Sequence, residues 1–265
     1  MKKHFWPSLA LMLAAGALLP TASRAATRSF LFPASQAAEV DSPVDFVRHT
    51  LAAADGVAVH ALELPAPPGG RTVVHFHNNR ETAEAPAGLA RSLHALGLGV
   101  VLVEYRGYGA SRGFEPSEAG LYLDAEAALG MLAARGVGPE RVVLWGTSLG
   151  TGVAAEMARR GRGSGLVLVT PYTSIPDLVT GVAPFVPART LLADHFDTLS
   201  KADAIRMPTL VIHGDADEIV PYAMGERVAG AIAGARLVRV DGGRHGDLFL
   251  REGRRLLGEI AALGT

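Results

Sequence analysis

The sequence has no cysteine, and this absence excludes disulfide bonds as well as lipid attachment through an N-terminal cysteine. Lysine is scarce too, because only Lys2, Lys3 and Lys201 occur among 25 basic residues. Charged residues make up 19% of the chain, and the formal net charge is −1. A chain with no strong charge of either sign gives no indication of nucleic acid or another highly charged partner.

Hydrophobic residues are plentiful and make up 49% of the 265 residues. This composition and length suit a single α/β domain with a full core better than two small domains. Residues 26–43 lack periodicity and contain Pro33 and Pro43, so we predict an extended lead-in there. Residues 44–265 are predicted to form the folded domain.

Residues 1–25 have the layout of a secretory signal peptide. A basic start at Lys2 and Lys3 precedes the apolar run Leu9–Leu19, and small residues around Ala25 form a cleavage signal. The apolar run is short for a bilayer span, although an uncleaved anchor is the alternative. We predict cleavage after Ala25 and export to the periplasm or the medium.

Strand-like and helix-like segments alternate along the rest of the chain. Strands are predicted at Asp45–Leu51, Ala58–Leu64, Thr72–Phe76, Gly99–Tyr105, Arg141–Trp145, Gly165–Thr170, Thr209–His213 and Leu237–Val240. Helices are predicted at Ala85–Leu96, Ser117–Arg135, Gly150–Arg160, Ala223–Ala233 and Asp247–Leu263. The alternation predicts a mostly parallel sheet with helices on both faces. In such sheets, functional sites form outside the carboxyl ends of the strands.

One segment, residues 171–207, interrupts this alternation. It contains Pro171, Pro176, Pro184 and Pro187, and it is too long for a simple crossover and too irregular for one helix. We predict that it forms a short cap over the carboxyl edge of the sheet.

The pattern G-x-S-x-G occurs twice, around Ser148 and around Ser111. Its glycines leave room for a serine on a strained turn between a strand and a helix. Ser148 follows the apolar run Arg141–Trp145 and precedes the helical pattern Gly150–Arg160, whereas Ser111 lies in a glycine-rich loop. We therefore predict that Ser148 is a nucleophile; the alternative is an ordinary polar turn residue.

A helix that begins just after Ser148 presents free N–H groups and the positive end of its dipole to a reacting carbonyl. The Leu149 N–H is thus a predicted oxyanion donor. Among nine histidines, His245 follows the last predicted strand in a glycine-rich loop, which favours it as the base. The alternative is a solvated loop histidine. His213 lies within an apolar run and is predicted to be a structural, hydrogen-bonded group.

The acid of a catalytic triad has three candidates in one loop, namely Asp215, Asp217 and Glu218. All three follow the predicted strand Thr209–His213, and a triad needs only one carboxylate that is buried against the base. Asp215 has the further interpretation of a turn residue that caps local backbone. Spacing alone does not choose among them.

Three stretches, Glu104–Gly113, Gly146–Gly150 and Pro208–Pro221, carry a family resemblance. With them, residues from about 70 to 250 resemble α/β-hydrolases of the Bem46-like group, also described as serine aminopeptidases or Hydrolase_4-like proteins. The resemblance implies the α/β-hydrolase fold, with a short cap insertion. It also implies Asp217 as the acid, because the family pattern G-x-x-D-x-x-V-P runs here from Gly214 to Pro221.

One departure from the family concerns the loop after the first parallel strand. The family usually has His-Gly-Asn there, and this chain has His77-Asn78-Asn79. Asparagine enters the left-handed backbone region that glycine visits freely, so we expect the turn to survive with the Asn79 N–H as second oxyanion donor. The Asn78 side chain is expected either to crowd the pocket or to donate to the oxyanion itself.

Other marked residues have structural interpretations. The loop Tyr105–Gly109 is expected to be structural, with Arg106 pairing with a carboxylate or with loop carbonyls; the alternative is contact with the substrate. The run Asp194–Asp197, with one histidine and two aspartates, is an incomplete set of metal ligands and is expected to be solvated. Six apolar cap residues are expected either to line an acyl pocket or to seal the cap onto the sheet; they are Leu178, Val179, Phe185, Val186, Leu191 and Leu192.

Taken as a whole, the sequence predicts an exported serine hydrolase that cleaves carboxylic esters without a metal or an organic cofactor. The expected partner is a small-molecule or lipid acyl substrate, with no nucleic acid and no stable membrane span. The alternatives are a peptidase or amidase, a thioesterase or deacylase of acylated proteins or lipids, and a binding protein that has lost catalysis.

Overall fold

The computed structural model describes Arg28, residues 31–33 and residues 45–263. The predicted signal peptide at residues 1–25 lies outside the described residues. Within the predicted lead-in at 26–43, the Phe32 N–H donates to the Arg28 carbonyl oxygen at 2.8 Å. This bond makes a helical turn, which differs from the extended chain expected there. Because Leu31 and Phe32 are buried, local hydrogen bonding satisfies backbone groups that water does not reach.

An eight-stranded sheet lies at the centre of the described part of the chain. Its strands are β1 (Val47–Ala52), β2 (Ala58–Leu64), β3 (Thr72–Phe76), β4 (Gly99–Glu104), β5 (Val142–Thr147), β6 (Gly165–Val169), β7 (Thr209–Gly214) and β8 (Arg236–Val240). They lie in the order β1-β2-β4-β3-β5-β6-β7-β8. Strand β2 pairs antiparallel with β1 and β4, and all other pairs are parallel. The predicted, mostly parallel sheet is confirmed.

The strands of the sheet centre are buried on both faces. Every residue of β3, β4, β6 and β7 is buried, which is why these strands appear in the sequence as continuous apolar runs rather than alternating ones. Burial on both faces requires helices on both sides of the sheet.

Seven helices of the described residues surround this sheet. They are α1 (Ala87–His94), α2 (Glu118–Ala134), α3 (Leu149–Arg159), α4 (Ile175–Val182), α5 (Ala188–Leu191), α6 (Tyr222–Ala231) and α7 (Leu248–Ala261). Leu121 of α2, Val153 of α3 and Val228 of α6 belong to one buried cluster. Leu93 of α1 and Leu256 of α7 belong to a second cluster. The two clusters give the sheet its two covered faces. Among the described residues, no helix is both long and apolar enough to cross a membrane.

The segment 171–207, which we call the cap, lies between β6 and β7 and contains α4, α5 and the 3-10 turn Leu199–Ala204. Helix α4 begins after Ser174, whose hydroxyl accepts a hydrogen bond from the Asp177 N–H at 3.1 Å. The buried cap residues Val179 and Val186 join the cluster that contains α2 and α3. The cap is therefore part of the core on that face.

Candidate active site

A single residue makes the turn between β5 and α3, because β5 ends at Thr147 and α3 begins at Leu149. That residue is Ser148, with φ 52° and ψ −115°, a backbone conformation that costs energy for a residue with a side chain. The prediction ended the strand at Trp145 and began the helix at Gly150, so the observed turn is tighter than expected.

The glycines on either side of Ser148 are fixed by backbone contacts. A Cβ on Gly146 would overlap the carbonyl group of Gly150, and a Cβ on Gly150 would overlap the carbonyl group of Phe76 on β3. Both obstacles are main chain, one in helix α3 and one in the parallel strand β3, and neither can move without loss of packing. The turn is therefore held by packing, and the Ser148 N–H also donates to the Val169 carbonyl oxygen at 2.9 Å.

Three side chains from three loops meet at this turn. The Nε2 atom of His245 lies 3.0 Å from the Ser148 Oγ, and the Nδ1 atom of His245 lies 2.8 Å from the Asp217 Oδ2. Both distances are hydrogen-bond distances. Ser148 follows β5, Asp217 follows β7 and His245 follows β8, so the structure brings the predicted nucleophile, acid and base together at the carboxyl edge of the sheet.

The carboxylate of Asp217 is completely buried and accepts hydrogen bonds at both oxygens. Its Oδ1 accepts from the N–H groups of Ile219 and Val220 at 2.8 and 2.9 Å, opposite the contact of Oδ2 with His245. Burial raises the pKa of Asp217, but the hydrogen bonds from His213, His245 and the Val220 N–H outweigh it and leave the pKa well below its ordinary value. The group is thus ionised and oriented.

His213 lies beneath this site. Its Nε2 is 3.1 Å from the Val220 carbonyl oxygen and 3.3 Å from the Asp217 Oδ2, and its side chain is buried. The expectation of a structural, hydrogen-bonded histidine matches these contacts. The additional contact with Asp217 could not be seen in the sequence, because the two residues approach each other only through the fold of the loop after β7.

The competing carboxylates of the loop have other surroundings. The Asp215 Oδ1 accepts from the Gly242 N–H at 2.6 Å, and its Oδ2 accepts from Arg239 at 2.5 Å. Asp215 therefore ties the loop after β7 to the loop after β8, which is the backbone-capping role considered for it. Glu218 is exposed. Among the three candidates, the contact with the imidazole of His245 is made by Asp217.

The second glycine-flanked serine, Ser111, lies elsewhere. It ends the 3-10 turn Gly109–Ser111, and its Oγ accepts a hydrogen bond from the His60 N–H on β2 at 3.1 Å. Its buried hydroxyl thus joins a loop to an outer strand of the sheet.

The first predicted oxyanion donor lies at the start of a helix. Leu149 is the first residue of α3 and is buried. The N–H groups of a first helical turn have no partner within the helix, so the Leu149 N–H next to Ser148 has none there. The role of this N–H as an oxyanion donor stays a prediction.

The loop His77-Asn78-Asn79, which we call the oxyanion loop, adopts a different turn from the one expected. Residues with side chains and a positive φ in the described chain are Ser148, Thr170 and Phe196, so Asn78 does not occupy the left-handed region. The Asn78 Oδ1 instead accepts from the Arg80 N–H at 2.8 Å. This local side-chain bond shapes the turn in place of the glycine conformation, so the expectation of a left-handed Asn78 is wrong.

Hydrogen bonds fix the peptide units of the oxyanion loop one by one. The His77 Nδ1–H donates to the Asn78 carbonyl oxygen at 2.7 Å. Since C=O and N–H point in opposite directions in a trans peptide, this bond also orients the Asn79 N–H of the same unit. The hydroxyls of Tyr105 and Tyr108 donate to the carbonyl oxygens of His77 and Asn79, both at 3.3 Å.

A buried pair supports the loop from below. The His77 Nε2 is 3.4 Å from the Glu104 Oε1, and both side chains are buried. The imidazole also packs against the rings of Tyr105 and Tyr108, with centroid separations of 4.2 and 5.0 Å. The sequence predicts a structural loop at Tyr105–Gly109 with Arg106 as its pairing residue, and it does not predict the bonds from these two tyrosines to the oxyanion loop. Both tyrosines lie in Glu104–Gly113, a stretch that carries the family resemblance, and this was the signal in the sequence that could have identified them.

Arg106 has the structural role expected of it. Its guanidinium bonds the buried Asp124 of α2 and also Asp55 at the β1–β2 hairpin, at distances of 2.7 and 2.6 Å. Burial lowers the pKa of Arg106, but the hydrogen bonds with the two carboxylates raise it by more. The pKa is therefore above its ordinary value, and the group stays charged. Arg106 thus links the hairpin to α2.

The cap differs from expectation at Asp194, which is buried rather than solvated. Its Oδ1 accepts from the Glu118 N–H at 2.7 Å, and its Oδ2 accepts from Arg28 at 3.0 Å. The carboxylate thus accepts a hydrogen bond from the free N–H at the start of α2, and this bond explains its burial. Within the part of the chain that the structure describes, no group of three or more His, Cys, Asp or Glu residues is placed to hold a metal ion.

Four of the six apolar cap residues seal the cap onto the domain. Leu178, Val179, Val186 and Leu192 are buried in the main cluster. Phe185, by contrast, is 74% exposed and does not line an enclosed pocket. Burial in a shared core supports the sealing interpretation for the four.

Comparisons with known proteins identify the family of the chain. A family model described as serine aminopeptidase, S33 matches residues 68–200, and another described as TAP-like protein matches residues 192–254. The chain is 38% identical over 221 residues to the uncharacterized protein Rv2307c of Mycobacterium tuberculosis, covering 79% of this chain and 78% of that protein. It is 32% identical over 231 residues to Protein bem46 of Schizosaccharomyces pombe, covering 81% and 76%.

Solved structures share the architecture. An esterase from Exiguobacterium antarcticum superposes with a TM-score of 0.64 at 18% identity, covering 80% of this chain and 97% of that one. The α/β hydrolase GrgF from Penicillium superposes with a TM-score of 0.68 at 14% identity, covering 81% and 96%. Likeness at these identities establishes the α/β-hydrolase fold predicted from the sequence and carries no substrate with it.

Proposed function

The chain belongs to the serine aminopeptidase, S33 family of α/β-hydrolases, and from that membership we propose that it is an exported serine hydrolase that cleaves carboxylic esters. The observation that carries the proposal is the pair of hydrogen-bond distances from His245, to Ser148 at 3.0 Å and to Asp217 at 2.8 Å. A hydroxyl, an imidazole and a buried carboxylate in this sequence form the arrangement that activates a serine.

In the proposed first step, the Ser148 Oγ attacks the acyl carbonyl carbon while His245 Nε2 takes the hydroxyl proton. The C–O π bond opens, and the carbonyl oxygen becomes an oxyanion that the N–H groups of Leu149 and Asn79 receive. Asp217 holds the Nδ1–H of the imidazole and stabilises its charged form. The oxyanion then collapses, the bond to the alcohol oxygen breaks, and His245 gives its proton to the leaving alcohol.

The second step releases the acid. A water molecule attacks the acyl carbon of the Ser148 ester while His245 accepts its proton, and the second tetrahedral intermediate forms in the same place. Its collapse breaks the acyl–Oγ bond, and the proton returns from His245 to Ser148. Each proton and electron pair is accounted for by the substrate, one water molecule and the named side chains, so the cycle needs no cofactor.

Esters are preferred over peptides for a reason of charge. An aminopeptidase must hold the ammonium group of its substrate, and a free carboxylate does this best. Three of the four cap carboxylates are already engaged: Asp177 and Asp197 bond Arg189, and Asp194 bonds Arg28. The fourth, Asp203, is exposed, so it is the cap carboxylate that remains for the aminopeptidase alternative.

The description of the matching family as a serine aminopeptidase favours a second candidate, cleavage of amide bonds by the same residues. Turnover of p-nitrophenyl esters compared with aminoacyl p-nitroanilides separates the two. The ester proposal expects kcat/KM to be higher for the esters after correction for leaving-group reactivity. An aminoacyl anilide preference that disappears when the amino group is acetylated would establish the aminopeptidase instead.

The two G-x-S-x-G sequences supply a matched test. Replacing Ser148 with alanine is expected to lower kcat for ester hydrolysis by several orders of magnitude, roughly 10⁴-fold or more, with the fold intact by circular dichroism. Ser111→Ala alters the same sequence pattern away from the site and is the control, with an expected change in kcat of about threefold or less. Equal activity of the two variants contradicts the proposal.

The length of the acyl chain that the site accepts needs its own test. A series of acyl chains from acetyl to palmitoyl, as both oxygen esters and thioesters, defines the acyl specificity and tests the thioesterase alternative.

Export has a separate test. If the protein is exported, the processed protein in the producing cell begins at residue 26. N-terminal sequencing of material from the periplasm and the medium checks this, and an intact residue 1 in a cytoplasmic fraction contradicts it.

A further inference from the structure

A short N-terminal segment contacts two functional parts of the molecule. We call its described residues Arg28, Leu31 and Phe32 the N-terminal clamp. Leu31 and Phe32 are 9% and 4% exposed, and both belong to the main buried cluster. They are therefore part of the folded domain, although they precede the first strand of the sheet.

The clamp holds the cap at one end. The Arg28 Nε donates to the Asp194 Oδ2 at 3.0 Å, and the ring of Phe32 meets the ring of Phe196 edge-on with centroids 6.2 Å apart. Asp194 and Phe196 both lie in the cap. Asp194 also caps α2 through the Glu118 N–H, so the clamp contacts the cap where the cap itself is fixed to the domain.

The other end of the clamp holds the oxyanion loop. The carbonyl oxygen of Leu31 accepts a hydrogen bond from the Asn79 Nδ2 at 2.9 Å. Asn79 thus has its side chain bound to the clamp, while its own carbonyl oxygen accepts from Tyr108. With both anchored, the backbone N–H of this residue has little freedom of direction.

We propose that the N-terminal clamp is a positioning element for the second oxyanion donor, and that it couples the position of the cap to the direction of the Asn79 N–H. The inference rests on the proposed function, which assigns that N–H to the oxyanion. A donor acts only when it points to the place where charge develops, so loosening the clamp lowers kcat more than it changes KM. Cleavage of the leader after Ala25 keeps all three clamp residues in the mature chain.

The kinetic test uses variants of the mature chain on a short p-nitrophenyl ester. Arg28→Ala is expected to lower kcat about three- to tenfold with KM changed by less than about twofold, because one end of the clamp is released. Asn79→Ala keeps the backbone N–H but removes its anchor, and a similar or larger loss is expected. Because both changes loosen one element, the double variant is expected to lose less than the product of the two single losses.

Two further variants separate positioning from general destabilisation. Arg28→Lys keeps a positive charge beside Asp194 and is expected to recover at least half of the kcat lost in Arg28→Ala. Arg189→Ala is the matched control, since Arg189 bonds Asp177 and Asp197 within the cap and does not contact the clamp. Its kcat is expected to stay within about twofold of the parent protein.

A thiol probe measures the coupling without turnover. The chain has no cysteine, so Phe32→Cys places a unique thiol at a buried position of the clamp. Its reaction with an aromatic disulfide reagent is expected to be slow, to accelerate when Arg28→Ala is added, and to slow at least threefold when Ser148 carries a phosphonate adduct. The last effect follows from reciprocity, because a filled oxyanion site stabilises the loop that the clamp holds. If Phe32→Cys does not fold, Pro33→Cys at the adjacent half-buried position replaces it.

The outcomes distinguish a failure of the clamp proposal from a failure of the proposed function. A parent protein that neither hydrolyses esters nor reacts with a phosphonate contradicts the proposed function. An active parent whose Arg28→Ala and Asn79→Ala variants keep their kcat contradicts the clamp alone. Thiol reactivity that is unchanged by the Ser148 adduct, in a protein that forms the adduct, also contradicts the coupling.

Discussion

The turn at Ser148 and the oxyanion loop at residues 77–79 meet at the same edge of the sheet, but different forces hold them. At the turn, backbone meets backbone, and a Cβ on Gly146 or Gly150 has no space. The oxyanion loop is held by side chains, because His77, Tyr105 and Tyr108 donate hydrogen bonds to the loop carbonyls. Steric exclusion is all-or-none, whereas hydrogen bonds are removable singly, so the two regions should respond to mutation differently.

The difference also explains why one region keeps the family sequence and the other departs from it. The turn retains G-x-S-x-G, because each glycine there faces main chain. The oxyanion loop has Asn78 where the family usually has glycine, and the Asn78 side chain bonds the Arg80 N–H to shape its own turn. A region held by side chains accepts a new side chain when it brings a new bond.

Between the two regions, the largest effect is expected from breaking the backbone packing of the turn. Gly150→Ala forces a methyl group onto the Phe76 carbonyl, and neither strand β3 nor helix α3 can withdraw without loss of packing. We expect ester hydrolysis to fall more than about 100-fold and the free energy of unfolding to fall by about 1–3 kcal/mol or more. Urea denaturation and steady-state kinetics measure both.

The matched control for the turn is Gly130→Ala in α2, where a Cβ meets nothing within 4 Å. An alanine there is expected to leave activity unchanged and to stabilise the protein by up to about 1 kcal/mol through helix propensity. Similar behaviour of the two alanine variants would remove steric exclusion as the explanation of the turn.

The next largest effect is expected at one of two buried histidines that lie two residues apart. His77→Ala removes the bond that orients the Asn79 peptide, and we expect kcat to fall about 10- to 100-fold, less than the complete loss of an oxyanion donor. His75→Ala removes a buried imidazole that contacts Thr147 Oγ1 at 3.1 Å, next to the turn. Since the turn does not depend on side-chain bonds, the kcat of the His75→Ala variant is expected to change little.

Both histidine variants create a cavity, so both should unfold at lower urea concentration, which makes stability the shared property and kcat the distinguishing one. Burial lowers the pKa of His75 to about 3, with the neighbouring His77 adding to the effect, so His75 is neutral at physiological pH and its removal changes no charge. A larger loss of kcat in His75→Ala than in His77→Ala would reverse the comparison.

A smaller effect is expected from the two tyrosines. Tyr105→Phe and Tyr108→Phe each delete one hydroxyl that donates to a loop carbonyl and leave the ring in place. We expect each to lower kcat about two- to fivefold and to cost about 0.5–1.5 kcal/mol of stability. If neither variant changes kcat while His77→Ala does, the imidazole alone orients the loop.

The smallest effect is the acid dependence of stability, which concerns Asp217, the carboxylate that bonds His245 beside the turn. The pKa of Asp217 is lowered in the folded protein, since the bonds from His213, His245 and the Val220 N–H outweigh burial. A lowered pKa stabilises the fold above the unfolded value of roughly 4, and this stabilisation is lost as the pH falls towards the folded value. Asp217→Asn should therefore show a flatter loss of unfolding free energy between about pH 5 and pH 3 than the parent protein does.

The sequence predicts much of the fold because the central strands are buried on both faces. The predicted bounds match those observed for β2 and β3 and lie within two residues of those of the other six strands. Boundaries at the site were less accurate, since the ends of β5 and α3 depend on the close packing of Gly146 and Gly150 against backbone that is remote in sequence.

The site was predictable to the extent that position in the chain fixes position in the sheet. Ser148 and His245 follow predicted strands and could be named from that order. Asp217 could not be separated from Asp215 by spacing, because the choice depends on burial and on the bond to His245, which arise only from the folded loop. The contact of Leu31 with Asn79 spans 48 residues of sequence and leaves no local pattern.

The most direct test of the account is the reaction of the intact mature protein with a fluorophosphonate, followed by mass spectrometry of its peptides. An activated serine reacts, and an ordinary one does not. We expect one adduct, on Ser148, whose formation is abolished in His245→Ala. An adduct on Ser111, or no adduct in a folded and soluble protein, would contradict it.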